Sequence, residues 1–187
     1  MDYKQRILHA LKELAAQRGF SGATMDELAA RAGVSKRTIY RYFNSKEEII
    51  DALLDDILSI YEQKILQMLD SCENPVEKMS NIIKIVPQIT QIITPAALHD
   101  LHRHYPHLWE KIERFRAERI QQLFDDLLLS DEYRCFKPIN PKIFTTALMA
   151  SIRSVVNPAF IIENNLSVEE TIQTLFTIFL SGIVMKE

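Results

Sequence analysis

Lys36, Arg37, Thr38, Tyr40 and Arg41 crowd the stretch SKRTIYRYF, offering ammonium, guanidinium, hydroxyl and phenol groups with no carboxylate among them. Such a set suits a polyanion. Arg37 or Lys36 could bond the O6 and N7 acceptors of guanine in a major groove, Thr38 could meet a thymine methyl or a phosphate, and phenols suit phosphate oxygens. Ile39 and Phe43 lie on the opposite side of the same helix and must face a core, which leaves the basic, aromatic side to solvent.

The elements that must position these groups are also marked. Thr24 with Glu27 reads as a capping box, and Leu28, Ala29 and Ala32 follow at helical spacing, so a short helix starts near Met25. Gly33 falls where a helix end needs a left-handed residue, and Ser35 can cap a second helix from Lys36. The pair is a helix-turn-helix. Cations in a first turn oppose the helix dipole by roughly 0.3 to 1 kcal/mol each, a conflict incurred by Lys36 and Arg37 and again by Lys46, just after the cap of a further box, Ser45 to Glu48. Anions docking at both helix starts would remove it; a merely solvated basic face is the alternative.

The run Ala32-Gly33-Val34-Ser35, then Thr38-Ile39-Tyr40, Tyr42-Phe43 and Lys46-Glu47 resembles the N-terminal DNA-binding domain of TetR/AcrR-type bacterial transcriptional repressors, most densely over residues 24 to 53. The resemblance implies phosphate contacts for Thr24, Tyr40, Tyr42 and Lys46, and a base- and backbone-reading edge of Ser35, Lys36, Arg37 and Thr38, with Arg41 on the same solvent side. Many members carry glycine where Arg37 stands. A long side chain there could add a base contact or reach the backbone.

The fold expected is all-α: a three-helix head over residues 1–47, and a helical ligand-binding and dimerisation body over residues 48–187. Residues 1–47 hold nine basic and five acidic groups, net +4, against thirteen and twenty, net −7, in residues 48–187. A basic head on an acidic body can orient the chain on a polyanion without binding it everywhere. Ile7, Leu8, Leu11, Leu14 and Ala15 stripe a first helix that Gly19 ends; with Phe20, Leu28, Ile39 and Phe43 they make the core of the head. A long helix without Gly or Pro runs from Lys46 to about Leu69 and joins head to body. Asn74-Pro75, Thr94-Pro95 and Asn140-Pro141 mark three helix starts, each a cap followed by proline, and Pro87 should kink or break the first. Another helix runs from about His107 to Leu128, with Leu108, Ile112, Phe115, Leu123, Phe124 and Leu127 inward, and a loop covers 130–138. The last two run from Pro141 to about Val156, with continuation past Pro158 left open, and from Ser167 to the end. No strand is needed.

Those last two helices are apolar on more than one side, through Ile143, Phe144, Leu148, Met149 and Ile152 in one and Ile172, Leu175, Phe176, Ile178, Phe179 and Ile183 in the other. A second copy of the chain would explain the extra face as a four-helix bundle about a two-fold axis, an interface the resemblance also implies; the competing reading is a large monomeric core. A dimer would set two recognition helices about one DNA turn apart on a palindromic operator.

The resemblance further implies a cavity in the body for a small-molecule inducer. Candidate lining residues are Ile82, Ile83, Val86, Ile89, Leu101, Tyr105, Trp109, Phe115, Met149 and Phe160, with Arg153 and Asn157 as the polar candidates. A hydrogen-bonded role at a dimer interface is the alternative for those two. His99, His102, His104 and His107 crowd one stretch, but no zinc-site spacing is apparent, so the expectation is no metal and no cofactor. No nucleophile elbow, phosphate loop or paired-carboxylate pattern suggests an enzyme. Without a secretory or membrane segment, a cytoplasmic location follows as an expectation, and Cys72 and Cys135 should be free thiols. The expectation is therefore a ligand-responsive, dimeric regulator of double-stranded operator DNA. A metal-responsive regulator and a helical adaptor using the helix-turn-helix for protein contacts remain the alternatives.

Overall fold

A computed structural model describes residues 2–71, 77, 94–129 and 137–183. Among these residues the chain forms α1 (Tyr3–Arg18), α2 (Met25–Ala32), α3 (Lys36–Tyr42), α4 (Lys46–Ser71), α5 (Pro95–His104), α6 (Pro106–Leu129), α7 (Pro141–Val155), α8 (Pro158–Glu163) and α9 (Val168–Ile183), and no strand. The expected start at Asn74-Pro75, the break at Pro87, both cysteines and most of the 130–138 loop lie outside the described residues.

Local chemistry accounts for the boundaries. Thr94 and Asn140 cap α5 and α7, accepting from Ala97 N at 3.3 Å and from Lys142 N at 3.0 Å, with proline at each first helical position. The chain does not carry α7 through Pro158. Val156 leaves helical geometry, and the Asn157 Oδ1 accepts from Phe160 N at 3.0 Å to start the short α8. Proline supplies no N–H and clashes with a preceding turn, so a new helix costs less than a continued one. At the end of α8, Asn165 takes the left-handed conformation at φ 53° while Leu166 N reaches back to Ile161 O at 3.0 Å.

Two apolar cores hold the helices together. The first gathers Ile7, Leu11 and Leu14 of α1, Leu28 of α2, Ile39 of α3, and Ile49, Ile50, Leu53, Leu54 and Ile57 of α4. It does not stop at the head, because Ala97 and Leu101 of α5 and Leu108 and Ile112 of α6 belong to it. The second packs Leu98 and Phe124 against Phe144, Leu148, Met149, Ile152, Val156, Ile161, Leu175 and Phe176. The Phe124 ring lies 5.6 Å from that of Phe144, tilted by 53°, and 5.9 Å from that of Phe176, stacked at 27°, within the separations aromatic pairs prefer. The buried hydroxyls of Thr145 and Thr171 donate to carbonyls one turn back, Pro141 O at 2.9 Å and Ser167 O at 2.7 Å.

Carboxylates of α4 and basic side chains of α6 bind the two long helices side by side. Glu47 meets His107 at 3.0 Å, Asp51 and Asp55 each meet Lys111 at 2.6 Å, and Glu62 meets Arg119 at 2.7 Å. Since the residue numbers rise together, α4 and α6 run parallel. Burial alone would lower the Lys111 ammonium, but hydrogen bonds to Asp51 and Asp55 outweigh it and raise its pKa above the ordinary value.

The α2 end shows why glycine stands at position 33. Gly33 has φ 63° and ψ 39°, its N–H bonds Ala30 O at 3.2 Å, and Val34 N bonds Ala29 O at 3.0 Å, which turns the chain toward α3. Gly33→Ala places a Cβ against the Arg6 guanidinium and forces alanine into left-handed backbone. It should lower stability by about 1 kcal/mol, measured as a lower urea midpoint with unchanged slope.

Candidate nucleic-acid interface

α3 is held by one buried residue. Ile39 is fully buried against α1, α2 and α4, and Phe43 beyond the helix end is nearly so, while Tyr40 and Tyr42 are 52% and 40% exposed. Lys36, Arg37 and Arg41 are exposed on the same helix, so the chemistry read from SKRTIYRYF does face solvent. Ser35 caps α3 by accepting from Thr38 N at 3.0 Å, and the two hydroxyls share a 2.9 Å hydrogen bond. Neither is a loose group. Any contact they make with a ligand would be made by groups already fixed in position.

The structure alters the expected electrostatics. Lys36 pairs with Asp26, in the first turn of α2, at 2.6 Å, so a carboxylate of the protein already relieves part of its conflict with the α3 dipole. At the next helix Lys46 is not the exposed first-turn cation that the dipole argument pictured. Glu47 and Glu48 occupy the first turn of α4, and Lys46 is half-buried with its Nζ donating to Ser21 O at 3.4 Å. Burial lowers the Lys46 pKa, with the charges of Asp100 and Glu27 opposing. The box expected there is also displaced by one residue. Ser45 Oγ accepts from Glu48 N at 3.1 Å, but the Glu48 carboxylate accepts from Asn44 N at 2.6 Å rather than from the cap.

At α2 the reciprocal capping box is complete. Thr24 Oγ1 accepts from Glu27 N at 3.2 Å and donates to Glu27 Oε2 at 2.9 Å, and Thr24 N donates to the same oxygen at 3.1 Å. Arg18 pairs with the other oxygen, Oε1, at 3.0 Å. Arg41 lies 5.1 Å from the Tyr42 ring centre and donates to its hydroxyl at 3.3 Å.

The start of α1 joins this surface, which the sequence reading missed. The Tyr3 ring lies 6.3 Å from that of Tyr42, Arg6 lies 5.6 Å from the Tyr3 ring, and Lys4 lies 5.9 Å from the Phe43 ring. The available signal was the run Tyr3-Lys4 and Arg6 around a helix capped by Asp2. Arg6 also donates to Gly33 O at 3.1 Å, tying α1 to the turn before α3.

The residues named for an inducer cavity do not share one setting. Leu101 is fully buried in the first core, with Tyr105 packed against it; Met149 is buried in the second; and Trp109 touches both. Phe115 and Phe160 are half-buried. Arg153 is an exposed side chain 3.6 Å from Glu113, which also holds Arg116 at 2.9 Å. Asn157 spends its amide on capping: Nδ2 donates to Ser154 O at 2.7 Å while Oδ1 takes Phe160 N. Ile82, Ile83, Val86 and Ile89 lie outside the described residues.

Histidines do not gather either. His102 stands edge-on to Trp109 at 5.4 Å, His107 pairs with Glu47, and no group of three His, Cys, Asp or Glu residues that could hold a metal occurs among the described residues. No helix among those residues is long and apolar enough to cross a membrane.

Comparison with known proteins agrees with this geometry. Residues 7–53 match the family described as bacterial regulatory proteins, tetR family. Over 98% of its length the chain is 26% identical to an uncharacterised HTH-type transcriptional regulator, YvaF, of Bacillus subtilis, covering 96% of that protein. It is 36% identical to the HTH-type transcriptional repressor NemR of Escherichia coli over 38% of this chain and 36% of NemR. A TetR transcription regulator from Haloarcula marismortui superposes with a TM-score of 0.79 at 15% identity, covering 98% of this chain and 99% of that one.

The Glu27 carboxyl is held below its ordinary value of 4.5, first by the hydrogen bonds from the Thr24 backbone and side chain and then by Arg18. Because the folded value is the lower one, the resulting stability is fully present above the unfolded value and lost as pH falls through the folded one. Glu27→Gln should therefore flatten the acid limb of a stability-versus-pH curve. Thr24→Ala should cost about 1 kcal/mol at neutral pH, both effects being read from urea unfolding.

Proposed function

Because this chain belongs to the TetR family of bacterial regulatory proteins and is a DNA-binding regulator, we propose that it is a homodimeric repressor that occupies a palindromic operator and is released by a small-molecule inducer. The observation that carries this reading is the solvent face of α3, where Lys36, Arg37, Tyr40 and Arg41 are exposed above the fully buried Ile39. In the major groove, Arg37 and Lys36 read base edges, while Thr24, Ser35, Thr38, Tyr40, Arg41 and Tyr42 fix the register on phosphates. Lys46 contributes to phosphate binding after release from Ser21 O, or acts through that carbonyl.

Residues 1–47 serve as the reading head and residues 48–187 as the ligand-binding and dimerisation body. The dimer reading is supported by Ile143 and Ile178, 70% and 62% exposed on α7 and α9, beside an open groove of about 460 Å³ lined also by Phe144, Ala147 and Phe179. Apolar side chains this exposed are what an antiparallel pairing of two copies would cover. An inducer bound in the body near Trp109 and Met149 would favour a conformation whose two heads no longer match the operator spacing.

Binding to duplex DNA from upstream of the chain's own gene, followed by fluorescence anisotropy, tests the head. Arg37→Ala should cost roughly 1 to 3 kcal/mol on that duplex and little on an unrelated one, whereas Tyr40→Phe should weaken both alike. Unchanged affinity in both variants would remove these assignments. For the dimer, Ile143→Glu combined with Ile178→Glu should sediment as a monomer while keeping its helical content; a dimer surviving both charges would place the interface elsewhere.

A further inference from the structure

Ser21, in the turn between α1 and α2, has both of its backbone groups held by ions. Its N–H donates to Asp100 Oδ2 at 2.7 Å, and its carbonyl accepts from Lys46 Nζ at 3.4 Å. One ion comes from the middle of α5 and the other from the first residue of α4. Next to it, Gly19 has φ 75° and ψ 173°, a conformation essentially confined to glycine. A Cβ there would overlap the Asp100 carboxylate and lie 3.2 Å from Ala96 O, so the glycine is what lets α5 approach the turn.

α5 is well placed to move that carboxylate. Within one turn it buries Ala97 and Leu101 in the first core and Leu98 in the second, and it packs on α1, α6 and α8. Repacking of the second core therefore acts on α5 directly. A small rotation of the helix would shift Asp100 against Ser21. From Ser21 the displacement has two short outlets: forward along the chain to Thr24, the cap of α2, and across the carbonyl to Lys46 at the start of α4.

We propose that Asp100 is a positioning residue that clamps the turn around Ser21, and through it sets the pose of the DNA-binding head according to the packing of the body. The proposal rests on the reading of the head as the DNA-binding part. Asp100 does not touch DNA; it acts by fixing Thr24 and Lys46. Released from the clamp, the turn samples other conformations and the head loses pre-organisation for the duplex. The lowered pKa of Lys46, caused first by burial and countered by Asp100, fits an ammonium drawn into this cluster rather than left in water.

The test uses the full chain, with amide exchange of residues 19–23 followed by mass spectrometry and affinity for the upstream duplex measured in parallel. Asp100→Ala should speed that exchange and weaken DNA binding, each roughly tenfold, without changing helical content or sedimentation. Asp100→Asn keeps an acceptor without the charge and should recover part of both losses, landing between the two; if the alanine variant does not fold, this intermediate shift decides the question. Unchanged exchange overturns the clamp. Faster exchange with unaltered affinity overturns its role in setting the head. If the wild-type chain itself ignores the duplex, the DNA reading of the head fails, and the proposed setting of that head falls with it, whatever the exchange shows about the turn.

Discussion

The burial of Ile39 is the contact on which the reading surface depends. α3 spans Lys36–Tyr42 and buries no other residue, and a helix that short has no stability of its own in water. Full burial of one isoleucine side chain contributes about 1.5 to 3 kcal/mol, enough to seat the helix only because Phe43, the Ser35 cap and the Gly33 turn act at the same place. A single-sided anchor has a functional corollary. With one residue facing inward, the basic and aromatic groups of α3 are free to point outward together.

Electrostatics inside the head are more balanced than its net charge suggests. Lys36 is paired with Asp26, Arg18 with Glu27 and Arg31 with Glu13 at 3.2 Å. These are exposed pairs and add little stability. Their effect is on orientation, since they hold several cations along defined directions and leave Arg37 on the exposed edge of α3. The parallel arrangement of α4 and α6 is held by another set, from Glu47 with His107 to Glu62 with Arg119. The two long helices are thus joined by contacts in which the acidic partner sits on α4 and the basic one on α6.

Much of the architecture was legible from capping and periodicity because both are local. Thr24 with Glu27, Ser35, Thr94 and Asn140 each sit within three residues of the amide they cap, so sequence spacing and spatial distance coincide. The buried stripes of α1 and α4 follow from the helical repeat in the same way. Where a competing local interaction was available, the reading slipped: Glu48 chose the N–H of Asn44 over that of Ser45, and Asn157 used its amide to cap α8. The surface at Tyr3 and Lys4 escaped notice because its neighbour, Tyr42, is distant in the chain.

By itself the sequence determined the all-helical fold, the helix-turn-helix and the chemistry of its outer face, since each follows from propensities and spacings within a few residues. Only the tertiary structure decided that Lys46 turns inward to Ser21, that Lys36 already has a carboxylate partner, and that the head and α5 share one core through Leu101. These depend on which helices meet. Helix packing is set by shape and apolar area over many side chains at once, and a charge near the resulting contact takes whichever partner the packing brings within reach.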